Sequence, residues 1–223
     1  AIAFALLGAD DLLESDPGNA PARAIVERGG AFLSALWKSA RRPDWDWFEA
    51  GLAYDNARLA VALIRAGRRL PSLPLEEAGL AALDWLCARQ TAAAEHFRPV
   101  GSEGFERAGE LMPFDQQPIE AWATIAACAT AFAVSGQPVW RARAEAAWRW
   151  FLGDNDRGVP LGDIRSGRCR DGLTPRGVNH NCGAESILAF HLAHQAMADS
   201  FWTIEPAPAP LQARAPGAPA FAA

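Results

Sequence analysis

The 223-residue chain is half apolar and about one fifth charged, the balance of a globular protein with enough length for one sizeable core, and neither disordered nor fibrous. Its formal charge of -5 and pI near 5.4, without a long basic run, exclude the electrostatic footprint of a nucleic-acid binder. The apolar opening AIAFALLGA is too short for a bilayer span and lacks the basic flank of an export signal, so no membrane partner and a cytoplasmic location are expected.

In chain order, residues 1 to 14 form an apolar helix closed by the Pro17-Gly18 turn. With no initiator methionine and an opening already in helical pattern, the chain reads as a fragment. Ile25, Phe32, Leu33, Leu36 and Trp37 stripe a second helix from Pro21 to about Ala40. An aromatic and acidic lead-in, with Trp45, Trp47 and Glu49, passes into a third at about Ala50 to Ala66. Leu75 to Gln90 is an amphipathic fourth. PFDQQPIEAW opens the fifth, Pro118 to Val134: proline suits the first helical position because its missing N–H has no intrahelical partner there, which places Gln117 at the cap. Pro138 to Leu152 is the sixth and Ala184 to Ser200 the seventh. The Ala- and Pro-rich stretch 206–223 reads as a disordered tail. No strand-like alternation survives a count, so the fold class is all-α.

Helix five, and less cleanly three and seven, are apolar around more of their circumference than four and six, which places odd helices inside and even ones outside. Links from an odd helix to the next even one are short, whereas 91–117 and 153–183 are long. Long loops in a compact domain usually serve function, and this alternation gathers them where the inner helices begin. Asn56, Glu120 and Glu185 recur at intervals of 64 and 65 residues near three helix starts, and Trp85 and Trp150 recur at 65. A helical hairpin repeated at that interval predicts an α/α-toroid over residues 1–205, a partial ring of about seven helices or the C-terminal part of a larger one.

Three polar clusters open the inner helices. Carboxylates and amides hydrogen-bond sugar hydroxyls, and flat rings pack on the apolar faces of pyranoses. Glycoside hydrolysis needs two carboxylates roughly 5 to 10 Å apart, one of raised pKa. Asp115 and Glu185 are the preferred pair, with Glu120 next. Trp45, Trp47, Glu49, Tyr54, Asp55, Asn56, Arg58, Phe114, Gln116, Gln117, Asp171, Asn179 and Asn181 are the candidate binding residues. Plain structural readings stand beside these: Asp115 and Glu120 can complement a helix dipole, Asp55 and Arg58 can form an i,i+3 ion pair, and Asp154-Asn155-Asp156 is ordinary turn chemistry. Cys87, Cys128, Cys169 and Cys182 show no CxxC pairing and are read as reduced. Cys169 and Cys182 beside His180 lack a standard ligand spacing, the i,i+3 pair His191 and His194 lacks an acidic or cysteine third ligand, and no metal or cofactor is expected.

Together WFEAGLAYDNARL, FDQQPIEAW, WFLGDNDRGVPL, CRDGL and NHNCGAES, spanning about Ala20 to Met197, resemble the helical domain of bacterial carbohydrate-active proteins related to the six-hairpin glycosidases, often joined to or encoded near glycosyltransferases. The resemblance implies a toroid and a sugar-linked role. The expected function is therefore hydrolysis of a glycan by paired carboxylates. The alternatives are a non-catalytic glycan-binding or accessory domain of a glycosyltransferase, and a structural helical scaffold. The implied partners are an oligosaccharide, a glycosyltransferase domain and a missing half of the ring.

Overall fold

A computed structural model describes residues 1–102, 105–106 and 113–202; the tail segment 206–223 lies outside the described residues. The helices are α1 (Ile2–Ser15), α2 (Ala20–Ala40), α3 (Ala57–Arg69), α4 (Leu73–Arg89), α5 (Pro118–Ser135), α6 (Pro138–Phe151) and α7 (Ala184–Ser200). Their local logic is visible in the caps. Asn19 accepts the Ala22 N–H at 3.0 Å to start α2, Pro118 and Pro138 open α5 and α6, and Gly136 ends α5 in the left-handed conformation with its N–H on the Phe132 carbonyl.

Each odd helix packs against the even helix that follows it, α1 on α2, α3 on α4 and α5 on α6. The odd helices also touch in series, α1 to α3, α3 to α5 and α5 to α7. Close approach is built in where α3 meets α4: a Cβ on Gly79 would lie 2.7 Å from the Ile64 side chain and 2.8 Å from its backbone nitrogen. The α1–α3 contact is closed by Asp10, 4% exposed, whose carboxylate holds Arg65 Nε at 2.6 Å and Arg69 Nε at 2.5 Å. α5 is apolar and long enough for a membrane span by length and composition, and here it packs against α3, α4, α6 and α7. On the far side of α1 and α2, Ile2, Ile25 and Phe32 stay exposed along an apolar groove, and Leu188 and Leu192 stay exposed on α7.

Among the described residues the fold is all-α, as expected, with a few small strands added, and one helix start needs correction. Short strands do occur: β1 (Gly51–Leu52) pairs with β2 (Phe105–Glu106), β3 (Gly162–Asp163) with β4 (Arg168–Cys169), and β5 (Gly172–Thr174) with β6 (Gly177–Asn179), all antiparallel. At two or three residues each they are too short to register as alternation. The third helix also begins at Ala57 rather than near Ala50, because residue 55 takes φ +49°, outside the helical region, and turns the chain.

Candidate functional site

The starts of α3, α5 and α7 meet. At the centre is Glu120 in the first turn of α5, 3% exposed. It accepts the Asp55 backbone N–H on one oxygen and Asn56 Nδ2 on the other, the latter at 3.0 Å. Asn56 turns its own Oδ1 back to the Ala53 N–H at 2.9 Å. The Ala53-Tyr54-Asp55-Asn56 turn is therefore tied to α5 through both ends of one amide. Burial dominates the electrostatics and pushes the Glu120 carboxyl up to about 7, with the Asp55 charge adding to it against the opposing hydrogen bonds.

Asp55 is buried and pairs with Arg58 Nε at 3.1 Å, the i,i+3 ion pair; burial raises its pKa and Arg58 opposes the rise. The Arg58 guanidinium in turn lies 4.0 Å from the Trp122 ring centroid. Tyr54 projects outward, 57% exposed, and donates its hydroxyl to Glu185 Oε2 at 2.9 Å, bridging the turn to the first turn of α7. Its phenol is raised to about 12 by burial and then by the Glu185 hydrogen bond.

Beside this cluster is a cavity of about 220 Å³ lined by Asp115, Gln117, Asp171, Gly172, Thr174, Asn179, Glu185 and Ser186. Three carboxylates, two amides and two hydroxyls share one small space. Asp171 is fixed by the Gly183 N–H at 2.6 Å and by the Asn181 amide; burial opposes its ionisation, but these bonds and the Ser186 hydroxyl hold its carboxyl below the usual range. Asn179 accepts the Asn181 N–H at 3.1 Å, shaping the turn that carries both amides. The β5–β6 hairpin is placed by a reciprocal backbone pair, Gln116 N–H to the Leu173 carbonyl and Leu173 N–H to the Gln116 carbonyl, both at 2.9 Å. At Gly172, with φ +155°, a Cβ would lie 2.3 Å from that Gln116 carbonyl oxygen, so only glycine fits.

The structure thus gathers Asp115, Gln117, Asp171, Asn179 and Glu185 around one cavity, with Tyr54 and Asn181 touching its carboxylates. It separates others. Gln116 is fully buried and faces away, donating Nε2 to the Pro113 carbonyl at 2.9 Å and to Asp156, and accepting Trp150 Nε1 at 2.9 Å. Trp45 and Trp47 are core residues, 2% and 0% exposed, packed on Trp85 with centroids 4.9 and 6.0 Å away, and neither has a ring face for a sugar. Glu49 is exposed on the turn before β1 and lines no described cavity. Phe114 is half-buried with the Arg157 guanidinium 4.8 Å from its centroid. Glu120 does not line the cavity, because both its oxygens are taken by the Tyr54-to-Asn56 turn.

Two groups escape a sequence reading. Thr174 reaches the cavity only through the short β5–β6 hairpin. Asp156, in a run that reads as a plain turn, is the hub of the long loops: it accepts His96 Nε2 and Arg98 Nε, both at 2.8 Å, and the Gln116 amide. Burial works against its charge, yet Arg98, Gln116 and His96 hold its carboxyl below the ordinary value. Cys169 is buried and its thiol is pushed up to about 12, chiefly by burial; Cys87 and Cys128 are free thiols with sulfurs 4.0 Å apart. Among the described residues no three His, Cys, Asp or Glu side chains gather as metal ligands. Compared with known proteins, the chain matches no family model and no curated protein.

Proposed function

We propose that this chain is a carbohydrate-active domain that hydrolyses a glycan, with Asp115 and Glu185 as the working carboxylates. The observation that carries the reading is the polar cavity at the starts of α5 and α7, where these two side chains converge with Asp171, Gln117, Asn179, Thr174 and Ser186. Amides and hydroxyls suit a ligand made of hydroxyl groups, and paired carboxylates suit general acid and base chemistry at an acetal. Tyr54, hydrogen-bonded to Glu185 and largely exposed, serves as the aromatic platform at the rim. Serial contact of the odd helices, each backed by an even one, supports an arc of an α/α-toroid. An open arc would leave apolar faces at its two edges, and Ile2, Ile25 and Phe32 at one and Leu188 and Leu192 at the other answer to that description. The partner this implies is a ring-completing helical unit or a glycosyltransferase domain.

Hydrolysis is tested by release of reducing ends from a panel of glycans identified on a glycan array. Asp115→Asn and Glu185→Gln should each lower turnover by about 10²-fold or more, the range removed with a general acid or base, while melting as the native chain does. Unchanged turnover in both variants refutes the assignment. One observation favours the second reading, a non-catalytic glycan-holding domain: the two carboxyls whose pKa is raised, Glu120 and Asp55, are both buried and neither lines the cavity. On that reading calorimetry finds saccharide binding, and no glycan releases reducing ends.

A further inference from the structure

The loop between α6 and α7 also walls a second, larger cavity of about 810 Å³, within the roughly 300–1,000 Å³ that small-ligand sites occupy. Its lining is basic for a reason set by the strand. Side chains alternate across a strand, so Cys169 points to the core, 0% exposed, while its neighbours Arg168 and Arg170 share the opposite face and line the cavity. Arg170 is anchored at the wall by donating Nη1 to the His180 carbonyl at 2.8 Å, and the His180 side chain belongs to the same lining. Neither arginine forms an ion pair among the described residues. The one lining acid, Asp163, is engaged in its own turn, accepting the Arg165 N–H at 3.0 Å and the Ser166 hydroxyl at 2.7 Å. A cavity with two arginines against one self-engaged aspartate, on a chain of net charge -5, is a local reversal of sign. The two cavities also share a wall, since Asn181 lines the second and donates to Asp171 of the first.

We propose that the second cavity is an oxyanion subsite, where Arg168 and Arg170 receive a carboxylate or phosphate borne by the glycan whose neutral part occupies the first cavity. The guanidinium fork matches both groups, and charge-assisted bonds of this kind are the strong ones. The ligand class is then an acidic saccharide, a statement that rests on the saccharide reading of the first cavity, whereas oxyanion binding itself does not.

Calorimetric titration of the full chain with D-glucuronate, inorganic phosphate and D-glucose tests this directly. Glucuronate, phosphate or both should saturate one site, weaken with added salt, and resist displacement by D-glucose. Binding by phosphate alone assigns the site to a phosphorylated sugar, and binding by glucuronate alone assigns it to a uronate. Arg168→Gln with Arg170→Gln should weaken the anion by about tenfold or more with an unchanged melting curve; if that pair loses stability, Arg168→Gln alone supplies the comparison. No saturation by either anion, or equal affinity in native and substituted chains, overturns the proposal. Inorganic phosphate has no glycosidic bond, so its binding stands or falls separately from glycan turnover.

Discussion

Replacing Glu120 by glutamine isolates the cost of its buried charge. The carboxyl is 3% exposed, and burial lifts its pKa from an ordinary 4.5 to about 7. A carboxyl raised on folding favours the protonated native state, so its contribution is most favourable below the unfolded pKa and is lost as pH rises through the folded one. With those two values, linkage between pH 5 and pH 8 removes about 2–3 kcal/mol of stability from the native chain through this one group. Glutamine cannot ionise, so the variant escapes that loss. It has a penalty of its own, because its single carbonyl satisfies only one of the two donors, the Asp55 N–H or Asn56 Nδ2, at about 1–3 kcal/mol. That penalty does not depend on pH. The prediction therefore concerns the difference between the two chains: Glu120→Gln is the less stable at pH 5 and gains on the native chain by about 2–3 kcal/mol on going to pH 8. Urea unfolding of both chains at intervals of half a pH unit measures it, and other titrating groups largely cancel in the comparison. Parallel profiles, with a difference constant to within about 0.5 kcal/mol, would refute a buried carboxyl titrating near neutrality.

Two further substitutions test the scaffold around the site. Asp156→Asn should destabilise by about 1–3 kcal/mol at neutral pH, since Arg98 and the Gln116 amide lose their charged acceptor. A carboxyl lowered on folding stabilises above its unfolded pKa and loses that contribution as pH falls through the folded one, so the gap between variant and native melting curves should narrow below about pH 4. Gly172→Ala would place a methyl 2.3 Å from the Gln116 carbonyl oxygen at φ +155°. We expect a loss of about 2 kcal/mol or more, and native-like unfolding would show that the hairpin is not pinned there.

The helices were legible because their determinants are local. Pro118 and Pro138 mark starts, Gly136 marks a stop, and the start of α7 at Ala184 falls where its pattern places it. The start of α3 was not legible, since the left-handed Asp55 is held by a carboxylate 65 residues away. The spacing of Asn56, Glu120 and Glu185 does correspond to contact, but it cannot say of what kind. Asn56 meets Glu120 directly, and Glu185 joins through Tyr54. The amides show the limit most clearly. Gln116 and Gln117 are adjacent and chemically identical, and both belong to the stretch that opens α5. The extended backbone there sends successive side chains to opposite sides, so Gln117 lines the cavity while Gln116 is drawn under Asp156 and Trp150. Which side is wet depends on where Leu173 pairs with Gln116, a long-range register of one bridge that no local pattern encodes. The same alternation sends Cys169 inward and Arg168 and Arg170 outward. In this protein the helices are written in composition and the cavity linings in the parity of short extended segments, so shifting one such segment by a single residue would exchange the side chains that line a cavity for those that hold the fold.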